Sequence, residues 1–350
     1  MPEQIPAFRR PEIPVVGAAS DAKKAEAQQG IQYHFSNNRD QVSSAFADKL
    51  RMLEYPKLDF EKAAIKDINQ LLNQTLEELE LPPFNIPEEN IYSVPKSLYQ
   101  EMEGQSDDDY GHALILGQAI VLNSERLTHP YSRLSTLLHE MIHLKGFVSI
   151  ESDDKGREPR RAGLETHSSL KKTRERKRVV RHFIGINEAV VSELQKRLFS
   201  HVISKNPFLK REKEIAADVK TREQAKKIAR TEGKSEDELV YVSLVDSGSP
   251  EPRWKALTFP YYHQRQVLDY ILDTVQRTYP DEFPSRDDVF QLFLQAHFGG
   301  YQFKALGRLI DDTFGPDAFR EIGGMTGTNP ESAYRVLDYL KKHTRLEVRK

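Results

Sequence analysis

The segment Pro130–Lys145 places two histidines and a glutamate on a strongly apolar helix, and the rest of the chain must fold around that conflict. Leu134, Leu137, Leu138, Met141, Ile142 and Leu144 recur at helical spacing, and Gly146 is placed to end the helix. A helix with this much apolar surface is buried. Polar groups on it are costly unless each finds a partner. His139, Glu140 and His143 therefore need a common reason to be there.

The spacing supplies one. His139-Glu140-Met141-Ile142-His143 reads H-E-x-x-H, and residues four apart on a helix share a face. Both imidazoles can reach one metal ion, as zinc requires of two nitrogen ligands. Glu140, beside the first ligand, is placed to hold and deprotonate a water on the metal. The chain has no cysteine, which excludes a disulfide framework and every thiolate zinc site. Any metal is held by nitrogen and oxygen.

The composition sets the frame. Hydrophobic residues make up 38% and charged residues 30%, with a formal net charge of −2. No global field draws such a chain to nucleic acid or anionic lipid. No stretch approaches the ~20 apolar residues of a membrane span, and the first twenty residues lack the apolar run of a signal peptide. The expectation is a cytoplasmic protein with neither a nucleic-acid nor a membrane partner. Residues 153–181 contain eleven Lys/Arg against five Asp/Glu, but no aromatic residues interleave the basic run, so a solvated structural role is expected.

Periodicity divides the chain into three parts. Residues 1–40 lack any period and read as a mobile N-terminal arm. Residues 41–255 form the main domain. Its opening helices, with Phe46, Leu50 and Leu53 and then Ala64 to Leu72, are separated at Pro56. Strands are expected near residues 90–98 and 112–123, the latter hinged at Gly117. A strand pair near residues 160–164 and 179–184 is joined by the charged turn Lys171–Arg178. A second apolar helix spans Asn187 to Val202, and a further strand Leu239 to Val245. Charged insertions fall near 153–181 and 205–238. Residues 256–350 read as a helical C-terminal subdomain, with helices near 261–278, 286–297, 302–313 and 330–343.

A strand, a helix bearing H-E-x-x-H and a later helix carrying Asn187-Glu188-Ala189 together resemble the zincin metallopeptidases of the glutamate-ligand type, the thermolysin-like gluzincins. The resemblance covers roughly residues 110–200. It implies an α+β, zincin-like catalytic domain with a small sheet and an active-site helix, one zinc ion as cofactor, a peptide or protein substrate, and Glu188 as third ligand. Glu151, Glu165, His167 and His182 remain candidates for that position. The family pattern has an Asp four residues after the ligand Glu; here that position is Ser192, followed by Glu193, so the partner that orients a zinc histidine is open. The family also implies an oxyanion donor beyond the second helix, for which Tyr262 and His263 are the candidates. His297 and Arg308 read as helix-face residues. The strand near Ala119–Leu122 is expected to form the edge of the cleft, open to an extended peptide. A zinc-stabilised scaffold without turnover is the rival reading.

Overall fold

The computed structural model describes residue 10 and residues 12–35, 52–101, 109–153, 156–169, 179–246 and 253–344. The expected helix positions Phe46 and Leu50 and the charged turn Lys171–Arg178 lie outside them. The architecture is mixed α+β. The helices are α1 (Asp21–Phe35), α2 (Asp59–Glu78), α3 (Lys96–Gln100), α4 (Pro130–Lys145), α5 (Ile184–Lys205), α6 (Lys210–Ala217), α7 (Val219–Thr231), α8 (Tyr262–Thr278), α9 (Arg286–Leu294), α10 (Phe303–Phe314), α11 (Ala318–Gly323) and α12 (Pro330–His343). Among the described residues none is long and apolar enough to cross a membrane.

The described strands form three small sheets. In the first, β2 (Ile91–Val94), β3 (Gly111–Leu114) and β4 (Ala119–Asn123) take the order β2-β4-β3. The parallel β2–β4 and antiparallel β3–β4 pairings leave β4 in the centre, with all five of its residues buried. The expected edge at Ala119–Leu122 is therefore corrected: among the described residues the edge strands are β2 and β3, and β3 is the one beside α4. The run Ala119-Ile120-Val121-Leu122 is apolar at every position, which suits a strand covered on both faces. Gly111 lets β3 lie directly on α4. A Cβ there would sit 2.7 Å from Thr136 Cγ2 and 3.3 Å from Glu140 Cγ.

The second sheet has five strands, in the order β1 (Val15–Val16), β5 (Val148–Asp153), β6 (Gly156–Ala162), β7 (Glu165–Ser169) and β8 (Val179–His182). The basic segment is thus a meander rather than a single strand pair. β8 pairs with β7, Thr166 opposite His182, while residues 160–162 belong to β6. The N-terminal segment is also corrected. Val15 and Val16 pair in parallel with Ile150 and Glu151, and Ile13 is buried beside Val148 and Ile150. The buried Arg10 guanidinium donates to Leu144 O and Gly146 O, satisfying carbonyls that the end of α4 leaves unpaired. In the third sheet β9 (Leu239–Asp246) pairs with β10 (Arg253–Thr258), a strand the periodicity did not mark. The expected boundary at residue 255/256 cuts through β10.

α4 begins with Pro130 in its first turn, and His129 Nδ1 accepts from Tyr131 N as its cap. Its apolar face joins those of α2, α5, α8 and the later helices in one buried cluster that runs from Ala64 to Leu340. The helices after residue 262 therefore share the core of the main domain. α6 and α7 form the expected charged hairpin, with Ile215 and Val219 exposed and Thr221 and Ala229 turned inward. After Leu294 the chain passes into a π-helical turn, Gln295–Gly299, which buries His297 completely.

Candidate metal centre

α4 and α5 bring three side chains to one point. His139 Nε2 and His143 Nε2 lie 3.1 Å apart, and each is 3.2 Å from Glu188 Oε2. The two histidines are one turn apart on α4, as their spacing predicts. Glu188 stands one turn into α5, whose entry is shaped by Phe183 in the left-handed conformation, φ 63°. Gly185 N and Phe183 N donate to Met325 O and Gly323 O, which fixes where that turn starts.

The electrostatics call for positive charge at this point. Burial disfavours the charged form of His143, but the charge of Glu188 and its hydrogen bond prevail and hold the imidazole up to about 9. Burial likewise opposes ionisation of Glu188, yet His143 and His139 keep its carboxyl well below the usual carboxylate range. Two ring nitrogens in mutual contact and a carboxylate oxygen form the donor set that a divalent cation would join. Zinc bonds of about 2.1 Å at tetrahedral angles set ligand atoms about 3.4 Å apart. The observed 3.1 and 3.2 Å fit that ion with little movement. Among the described residues this is the group of His and acidic side chains close enough to hold a metal.

The other candidates for the third ligand are engaged elsewhere. Glu165 binds His167 at 2.7 Å and forks onto Arg181. Glu151 faces Arg160 at 3.2 Å. His182 stands outside the metal-ligating group. Ser192 Oγ donates to Pro260 O at 2.8 Å, and Glu193 pairs with Arg197, so neither orients a histidine of the cluster. Gln195 stands where such a partner is needed, its Oε1 3.1 Å from His139 Nδ1.

Glu140 is buried beside the cluster, and next to it opens a cavity of about 170 Å3 lined by Tyr110, Gly111, Thr136, His139, Thr258 and Tyr261. The cavity runs between the edge strand β3 and the end of β10. Tyr261, and not Tyr262 or His263, enters it. Tyr261 takes a left-handed turn, φ 58°, before α8, and its ring stacks 5.8 Å from that of His139. Its hydroxyl bonds Glu188. The charge of that carboxylate, then burial, push its pKa well above the ordinary tyrosine value, so the group stays a donor. Tyr262 instead lies near Lys234 and Arg265, and His263 meets Tyr334 at 3.0 Å. Nothing in the sequence marks a non-glycine residue for the left-handed conformation, and that turn decides which aromatic faces the cluster.

His297 is no helix-face residue. Its Nδ1 lies 3.1 Å from Asn187 Oδ1 and its Nε2 3.4 Å from Ile142 O, bridging the two site helices from behind. Asn187 Oδ1 also accepts from Leu164 N, and this ties the β6–β7 turn to the residue before Glu188. Arg308 is exposed, as its helical phase suggests.

No protein-family model matches the chain. Searches of curated proteins and of solved structures likewise find no match. The residues of the site alone bear on its chemistry.

Proposed function

We propose that the chain is a zinc-dependent metallopeptidase, a zincin of the gluzincin type, that hydrolyses peptide bonds. The observation that carries this reading is the convergence of His139, His143 and Glu188 with Glu140 buried beside them at an open cavity. Nε2 of each histidine and Oε2 of Glu188 would hold one ion and leave a fourth position toward the cavity. When bound, zinc polarises the substrate carbonyl and acidifies the attacking water.

The chain's own residues do the rest. Glu140 accepts the proton of the water as it attacks, then delivers it to the leaving amine. Tyr261 turns its hydroxyl hydrogen from Glu188 to the oxygen on which negative charge develops. The side of β3 that no described strand pairs, next to Glu140, takes an extended peptide by strand addition, which fixes the scissile bond over the cluster. A scaffold that merely holds zinc has no use for a carboxylate at Glu140 and is usually closed by four protein ligands.

The test is a broad peptide library, incubated with the zinc-loaded parent and with Glu140→Gln, with zinc measured in both. The proposal expects cleavage by the parent, zinc in both proteins and no cleavage by the variant. Cleavage unaffected in Glu140→Gln overturns it. A parent that holds zinc and cuts nothing favours the scaffold.

A further inference from the structure

His139 has a second nitrogen, and what meets it is unusual for a site of this kind. Gln195 lies two turns after Glu188 on the same face of α5 and is 1% exposed. Its Oε1 is 3.1 Å from His139 Nδ1. Its Nε2 is 2.8 Å from Ser135 O and 2.7 Å from Ser135 Oγ. Ser135 and His139 are one turn apart on α4, so a single amide staples both to α5.

The two ends of an amide are chemically distinct, and here the surroundings assign them. A backbone carbonyl oxygen only accepts, so the end of Gln195 that faces Ser135 O is the NH2 group. The end facing His139 is then the oxygen, which only accepts. The hydrogen of that contact must therefore lie on His139 Nδ1. A neutral imidazole with its hydrogen on Nδ1 presents a lone pair at Nε2, the atom that points at His143 and Glu188. The assignment rests on the chain of donors and acceptors and not on any titration.

We infer that Gln195 is the positioning residue of the metal centre: it fixes the ring rotation and tautomer of His139 so that Nε2 is ready to bind the ion. This deepens the zinc reading and rests on it. The role falls seven residues after the ligand glutamate, because Ser192, four residues after it, is committed to Pro260 O. An amide also orients without adding charge. The ligand set keeps one formal negative charge from Glu188, where an orienting carboxylate would bring a second one to the site.

The test measures zinc affinity by competition with a chromogenic chelator, so it needs no substrate. Gln195→Leu keeps the bulk and removes both contacts, and affinity should fall 10–100-fold, the usual loss for a partner of a metal ligand. Gln195→Glu keeps an acceptor for Nδ1 but loses the donor that meets Ser135 O, so it should bind zinc more tightly than Gln195→Leu and less tightly than the parent. Ser135→Ala leaves the backbone carbonyl that sets the amide and should bind zinc within a few-fold of the parent. Independently of any variant, histidine-selective 15N spectra of the zinc-loaded parent should show His139 with its proton on Nδ1 and metal on Nε2. Metal on Nδ1 overturns the inference. So does unchanged affinity in Gln195→Leu while Glu188→Ala loses zinc, an outcome that leaves the metal site itself standing. If the parent binds zinc and cuts no peptide, the hydrolase reading fails and the role of Gln195 does not.

Discussion

Replacing Gly111 by Ala tests how closely the edge strand lies on the metal helix. The added Cβ would meet Thr136 Cγ2 at 2.7 Å, Leu122 Cδ2 at 3.0 Å and Glu140 Cγ at 3.3 Å. Carbon atoms in contact prefer about 3.5–4.0 Å, so the strand must retreat from α4 by about 1 Å or Thr136 must turn. Overpacking of this kind costs about 1–3 kcal/mol. For a chain of 350 residues that is a fall in Tm of roughly 1–4 °C. Thr136→Ser deletes the nearest atom, so Gly111→Ala/Thr136→Ser should be more stable than the two single effects added together. The coupling expected in a urea-unfolding double-mutant cycle is about 1 kcal/mol or more. Because the same Cβ presses on Glu140, peptide cleavage by Gly111→Ala should fall at least tenfold and recover in the double variant. A neutral Gly111→Ala with zero coupling would refute the packing of β3 on α4, and with it the placement of the substrate edge.

Tyr261→Phe should lower kcat about 10²–10³-fold at saturating zinc, the range for one oxyanion donor. An unchanged kcat removes Tyr261 from the chemistry. Arg265 clamps the loop that presents Tyr261: buried itself, it forks onto the buried Glu238 and donates to Pro260 O at 3.3 Å. Arg265→Leu strands that carboxylate with Lys196 as its remaining cation, and should cost about 3 kcal/mol in denaturant unfolding. Burial, then the charge of His143, push His297 down to about 3, so it is neutral in the fold. Its unfolded value is near 6.5. A depressed pKa means that this contribution is complete above about 6.5 and is lost as pH falls toward about 3. Between pH 7.5 and pH 5 the parent should lose about 2 kcal/mol that His297→Gln does not, as read from urea unfolding at the two pH values.

Much of this arrangement is legible in the chain. The period of Leu134 to Leu144 and the caps Pro130 and Gly146 predict α4 at its observed limits. The four-residue spacing alone places His139 and His143 together. Glu188 meets them; the resemblance and its place at the start of an apolar helix favour it over Glu151, Glu165, His167 and His182, but proximity between α4 and α5 is a property of their packing. The N-terminal segment has no period because its order comes from elsewhere: two valines added to the edge of β5, and one arginine on the end of α4. β3 and β4 are both short, and which of them is central depends on β2, a partner remote in sequence. Tyr261 escaped notice because a left-handed turn shifts the helical phase by one residue. Gln195 escaped because a neutral amide on a buried helix face looks like any other core polar group. Its spacing of seven from Glu188 becomes meaningful only once the face of α5 is known.

Everything proposed for this protein requires one ion bound by three named atoms. X-ray absorption at the zinc edge of the purified, zinc-loaded protein measures that directly. The account predicts one zinc per chain, with two imidazole nitrogens and carboxylate and water oxygens at about 2.0–2.2 Å, and loss of the imidazole signal in His139→Ala/His143→Ala. A stoichiometry near zero, or a zinc shell that the double variant leaves unchanged, would contradict it.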